Sequence, residues 1–331
     1  MAHLAPMSGG PRYRIGADEN GLGPRLGPMV VTAVLARVTP DGERRVGRKP
    51  RGALAERLGD SKAMIAHGDV ALGEAWARAL AQRGCGRVPF AAGPGATPDA
   101  LLDALALDDR ATLRAPCPGH VEAQCWGPAG EAFVAPDAMV AAVATDLDRL
   151  AEQGVELLAV RSVILCALRM NEGLDAGRSR FALDLHAMER LVLALRAVAG
   201  ADVTAVCGKV GGFGKYGPAF GPLGGRLHNV LEEGRPRSAY HFPGVGELAF
   251  VRDADATDLG VAMASMVGKY VREALMARVV RFYRSEQPDL PDASGYYDPV
   301  TTVFMDATRL SRARREVPDR CFERRGAEPK R

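Results

Sequence analysis

Two apolar stretches, Arg12 to Ala17 and Met29 to Val38, read as strands, and between them stands the run Asp18-Glu19-Asn20-Gly21-Leu22-Gly23-Pro24. A strand that ends in two adjacent carboxylates and turns on glycine constrains the chain strongly. Burying an Asp-Glu pair is costly unless a cation offsets the repulsion, which points to a divalent metal at a strand edge. The glycines leave backbone N–H groups bare enough to approach a phosphate or a sugar. Taken alone, the same pair also suits a solvated loop.

The rest of the chain alternates strands and helices. Val46 is a possible third strand beyond the Pro40-Asp41-Gly42 turn, and Asp60 is placed to cap a helix. Val70 to Ala81, Pro136 to Glu152, Leu183 to Val198 and Val261 to Arg284 carry helical periodicity. Val155 to Ala167, Asp202 to Cys207, Ser238 to Tyr240 and Gly246 to Arg252 read as strands. The Gly/Pro-rich segment at about 85–135 reads as an insertion, and the glycine run from Gly208 to Gly217 as an inserted hairpin near the site edge. That run lacks the G-x-x-x-x-G-K-[ST] spacing of a phosphate loop. The fold class expected is α/β, a mixed β-sheet flanked by helices.

Four short motifs in order resemble those of ribonuclease HII. Asp18, Glu19, Gly21, Gly23 and Pro24 match its Asp-Glu strand and G-x-G-P turn, with Leu22 where the family usually has a basic residue. Asp60-Ser61-Lys62 is similar to its Asp-Ser-Lys turn. Ala254-Asp255-Ala256, then Ala264-Ser265 through Lys269, Arg272 and Glu273, resembles its Asp turn and the helix A-A-S-x-x-A-K-x-x-R-D. Gly295-Tyr296 resembles its glycine-tyrosine element. The resemblance implies a ribonuclease H-like domain over 12–300, after a flexible 1–11 and before a basic C-terminal segment, 301–331.

The resemblance also implies a metal-dependent endonuclease acting on RNA/DNA hybrids or on ribonucleotides embedded in duplex DNA. Asp18, Glu19 and Asp255 would hold Mg²⁺ or Mn²⁺ as catalytic ligands. Asn20, Gly21, Leu22, Gly23, Ser61, Lys62, Lys269, Arg272 and Tyr296 would meet the nucleic acid, the turn backbone reading a 2′-hydroxyl. The family uses four acids, and the fourth is missing. Its place after the strand Val203 to Val206 falls on Cys207 or on Gly208, depending on how Cys207-Gly208-Lys209 is aligned. Asp253, Asp258 and Glu247 are possible stand-ins, whereas Asp202 lies a strand length away. The alternative reading is therefore a catalytically inactive ribonuclease H-like module that binds nucleic acid.

Bulk properties set the remaining bounds. The chain has 331 residues, 47% of them hydrophobic, enough for a sizeable core, and a net charge of only +3. Arg44, Arg45, Arg48, Lys49 and Arg51 form one basic group, and Arg309, Arg312, Arg314, Arg315, Arg320, Arg324 and Arg325 another. Both suit either a solvated face or a phosphate footprint. No apolar run approaches the roughly 18 residues of a membrane span. The N-terminus lacks signal-peptide character, and six irregularly spaced cysteines fit a reducing, cytoplasmic setting. Cys117, His120 and Cys125 would give a zinc site only three ligands, without a paired CxxC.

Overall fold

The computed structural model of the protein describes residues 12–93, 95–128, 130–210 and 213–326. The expectation of a flexible segment at 1–11 lies outside the described residues, as do Gly211 and Gly212 of the glycine run. Seven strands form one mixed sheet: β1 (Arg12–Asn20), β2 (Met29–Val38), β3 (Val155–Leu165), β4 (Val203–Gly208), β5 (Asn229–Glu233), β6 (Arg237–Phe242) and β7 (Gly246–Val251). Their spatial order is β3-β2-β1-β4-β7-β6-β5. β1, β2 and β3 form an antiparallel meander, β4 runs parallel to both β1 and β7, and β5 and β6 extend the far edge antiparallel.

Helices cover both faces, as expected of an α/β fold with a mixed sheet flanked by helices. In chain order they are α1 (Pro40–Val46), α2 (Ser61–Met64), α3 (Ala71–Leu80), α4 (Pro98–Leu105), α5 (Arg110–Arg114), α6 (Glu122–Cys125), α7 (Asp137–Glu152), α8 (Ala167–Asp175), α9 (Arg180–Ala199), α10 (Leu259–Arg284), α11 (Pro299–Ala307), α12 (Arg309–Arg314) and α13 (Asp319–Phe322). Alternation along β1 and β4 divides the core. Ile15, Ala17, Val203, Ala205 and Cys207 face α9, whose Leu185, Leu191 and Leu195 complete that side. On the other face, Val30 and Val34 meet Met263 and Met266 of α10 together with α3 and α7. The segment at 85–135 contributes Leu101, Leu105, Leu113 and Val121 to this second core.

Val46 corrects the sequence reading: it ends α1 and forms no strand. Thr39 Oγ1 accepts the Gly42 N–H at 3.1 Å, and Pro40 occupies the first helical position, where its missing N–H removes no bond. The glycine run also departs from a hairpin. Lys209 continues the β4 ladder by donating to Val251 O at 3.0 Å, and the hairpin itself follows as β5 and β6.

Two close approaches position the site. A Cβ on Gly16 would stand 2.1 Å from the carbonyl carbon of Gly260, so α10 lies on β1 with no side chain between them. At the other end, the chain after α13 returns to the glycine turn. Arg324 N–H donates to Arg25 O at 2.8 Å, and the Arg324 guanidinium, fully buried, donates to Gly21 O at 2.6 Å.

Candidate active site

Asp18 and Glu19 sit at the end of β1, beside the turn that Gly21 makes possible with its φ of 91°. Side-chain alternation sends them to opposite faces of the sheet. The Ser265 hydroxyl of α10 acts on Asp18 and opposes the rise of its carboxyl, and Ser265 is bonded to Ser61 Oγ at 2.8 Å. Glu19 accepts the N–H of Leu22, which folds the turn back onto it. Burial pushes the Asp18 carboxyl up to about 7, helped by the charges of Glu19 and Asp255 and opposed by the Ser265 hydroxyl. Glu19 is raised by burial as well, against the pull of Leu22 N–H, Arg324 and Lys62. Asp255, just before α10, is raised by burial and by Asp60.

Around these acids the structure gathers most of the expected substrate contacts. A pocket of about 180 Å³ is lined by Glu19, the backbone of Asn20 through Gly23, Lys62, Lys269, Arg272 and Tyr296. Lys62 is brought in by α2, which Asp60 caps by accepting the Lys62 N–H at 2.9 Å. Burial lowers the Lys269 ammonium. The Arg272 guanidinium lies 4.7 Å from the Tyr296 ring centroid and donates to Ser294 O at 2.6 Å, so the ring is held at the rim. Ser61 is not among the lining residues: it is buried, and its hydroxyl reaches Asp18 only through Ser265.

The basic groups part company. Arg44, Arg45, Arg48, Lys49 and Arg51 line an open groove of about 700 Å³ that also includes Leu259, the first residue of α10. The C-terminal arginines are largely engaged within the fold. Arg315 pairs with Glu286 at 2.5 Å, Arg320 with Asp175 at 2.9 Å and Arg309 with Asp306 at 3.1 Å, and Arg312 donates to Met305 O at 2.8 Å.

The place of the missing acid can be read from the sheet register. Ala17 is paired with Cys207, so Gly208 lies beside Asp18. A Cβ on Gly208 would stand 2.4 Å from Asp18 Oδ1, whereas Cys207 is fully buried in the core facing α9. The suggested stand-ins are otherwise engaged. Asp258 caps α10 through Gly260 and Val261 and pairs with Arg14 at 3.0 Å. Glu247 pairs with Arg237 at 2.7 Å, and Asp253 points to solvent beside Arg252.

An acid that the sequence reading missed stands at the site instead. Asp184 of α9 is 0% exposed, and neither of its carboxylate oxygens has a hydrogen-bond partner. Burial first, then the charges of Glu19 and Asp18, hold its carboxyl well above the usual range. Its position carried a signal. Asp184 shares one helical stripe with the buried Met188, Leu191, Val192 and Leu195, where a lone carboxylate does not belong.

These acids offer only oxygen donors, the set a hard divalent cation prefers, and the two bare oxygens of Asp184 lack any other partner. The donor chemistry fits Mg²⁺ or Mn²⁺. As they stand, no three His, Cys, Asp or Glu side chains among the described residues are placed to share one ion, so closure would need carboxylate rotation. The same holds for Cys117, His120 and Cys125, and His120 Nε2 is bonded to Glu316 O at 2.9 Å. All six cysteines are free thiols.

No protein-family model and no curated relative matches the chain. Solved structures do. The PCNA:RNase HII complex from Archaeoglobus fulgidus aligns at 13% identity over 96% of each chain, with a TM-score of 0.43. Ribonuclease H2 from Pyrococcus horikoshii OT3 aligns at 13% identity over 94% of this chain and 92% of that one, with a TM-score of 0.44. Bst-RNase HIII in complex with Mn2+ aligns at 16% identity over 94% of this chain and 66% of that one, with a TM-score of 0.41. The sheet order and the helices packed on both of its faces describe an α/β fold, a mixed seven-stranded sheet flanked by helices.

Proposed function

We propose that the protein is a divalent-metal-dependent endonuclease of the ribonuclease HII type, cleaving RNA in RNA/DNA hybrids or at ribonucleotides embedded in duplex DNA. One observation supports this above the others. Glu19, the glycine turn, Lys62, Lys269, Arg272 and Tyr296 line a single pocket, and the charges of Glu19 and Asp255 both act on Asp18, the chain neighbour of Glu19.

In this reading Asp18, Glu19 and Asp255 hold the metal. Bound Mg²⁺ or Mn²⁺ supplies an activated water and neutralises charge during in-line phosphodiester displacement. The Ser61-Ser265 pair orients Asp18, and Lys62 and Lys269 meet the phosphates flanking the cut. Tyr296, backed by Arg272, offers its ring to a sugar or base. Gly21 and Gly23 let the strand approach the backbone, while the Leu22 N–H is already taken by Glu19 and is not free for a 2′-hydroxyl. Six free thiols agree with a reducing, cytoplasmic setting.

A second reading, a catalytically inactive nucleic-acid-binding module, is favoured by Gly208 in the place of an acid. Cleavage of a duplex carrying a single ribonucleotide, assayed in Mg²⁺ and in Mn²⁺ beside Asp18→Asn, separates the two. Metal-dependent cleavage that disappears in Asp18→Asn supports the enzyme, and duplex binding without cleavage supports the module.

A further inference from the structure

The buried carboxyl of Asp184 has no structural use in its own surroundings. A polar group fully removed from water costs roughly 1–3 kcal/mol when left without a hydrogen bond, and more if charged. Both Asp184 oxygens are in that position. The contrast within α9 is direct. Glu189, equally buried, accepts N–H groups from Gly221 at 3.1 Å and Leu223 at 2.6 Å.

Location says what Asp184 is for. α9 covers the sheet face that carries Glu19 and Cys207, whereas Gly208 and Asp18 lie on the α10 face. The charged groups that act on Asp184 are Glu19, on the face that α9 covers, and its chain neighbour Asp18 at the same end of β1. An acid at position 208 would reach this point from the strand, and Asp184 reaches it from the helix packed beneath.

We propose that Asp184 is a metal-binding residue that supplies from α9 the carboxylate Gly208 does not supply from β4. The proposal rests on the reading of Asp18 and Glu19 as a metal site. It makes the site a relocated one: the donor moves from a strand end to a helix face while the number of carboxylates stays at four. Leucine at 184 removes a ligand and ends the uncompensated burial, so it improves the apo core, whereas asparagine removes the ligand and leaves a buried amide unpaired.

The test is calorimetric titration of Mn²⁺ into wild type, Asp184→Asn, Asp184→Leu, Asp18→Asn and, as a control for general charge loss, Glu189→Gln. Thermal melts of each are recorded with EDTA and with Mn²⁺. Asp184→Leu should melt in EDTA no lower than wild type, and both Asp184 variants should bind Mn²⁺ at least about tenfold more weakly and lose the Mn²⁺-dependent rise in melting temperature. The use of two variants guards against one misfolding. Asp184 variants that bind Mn²⁺ within twofold of wild type, while Asp18→Asn does not bind, would overturn the role of Asp184 and leave the Asp18 site standing. An equal loss in Glu189→Gln would reduce the effect to net charge and overturn it too. A wild type that binds no Mn²⁺ would overturn the metal site itself.

Discussion

Gly16→Ala adds one methyl group where β1 and α10 touch backbone to backbone. Its Cβ would stand 2.1 Å from Gly260 C and 2.2 Å from Val261 N, so an ordinary contact near 3.4 Å requires strand and helix to part by about 1.3 Å. Neither side has a flexible end to swing away. Overpacking of this kind costs about 1–3 kcal/mol, and the upper end applies where both partners are backbone. The separation also falls between Asp18, two residues further along β1, and Asp255, four residues before α10 begins. Misplacement of about 1 Å lowers rates by about 10²-fold in well-positioned sites. Urea unfolding and single-ribonucleotide cleavage, measured on Gly16→Ala and on Gly119→Ala as a control with open space at its Cβ, check both halves. A Gly16→Ala protein with an unchanged urea midpoint would refute the reasoning, whatever its activity.

Asp18→Asn should stabilise the metal-free protein increasingly with pH. The wild-type carboxyl is raised from 3.8 to about 7, so its favourable contribution is complete below 3.8 and lost as pH rises to 7, with a ceiling of about 4 kcal/mol. Urea midpoints in EDTA at pH 4.5 and pH 8 that differ from wild type by the same amount would contradict this. His67, raised above 6.5 by its hydrogen bond to Glu273, should contribute stability below pH 6.5 that disappears as pH climbs through its elevated value. His67→Gln should therefore destabilise more at pH 5.5 than at pH 8.5 in thermal melts. Lys269→Ala should weaken duplex binding across sequences and reduce the slope of log K against log salt by about 1, and an unchanged slope in fluorescence anisotropy titrations would remove Lys269 from the interface.

The strands around the glycine turn, the Asp60 cap and the long helix behind Ser265 were legible because each rests on a local rule: alternation, a side-chain oxygen before a helix, or helical period. α1 was misread for a local reason, since Pro40-Asp41-Gly42 serves equally as a turn and as a helix start once Thr39 caps it. β5 escaped because all five of its residues are exposed and it carries no burial alternation. Asp184 and Arg324 escaped for a different reason. Both act through partners more than a hundred residues away, and nothing in the neighbourhood of either residue encodes that distance. The register of β1 against β4 likewise places Gly208 beside Asp18 only after the sheet is assembled.

The clamp of Arg324 on Gly21 has a consequence for how the protein comes into being. The acid-bearing turn is synthesised well ahead of the side chain that fastens its backbone, which lies 303 positions later. During synthesis the sheet can form strand by strand while the turn beside Glu19 stays unfastened. A nascent chain that has all seven strands therefore still lacks the contact that fastens the turn, which forms only when the segment after α13 has docked.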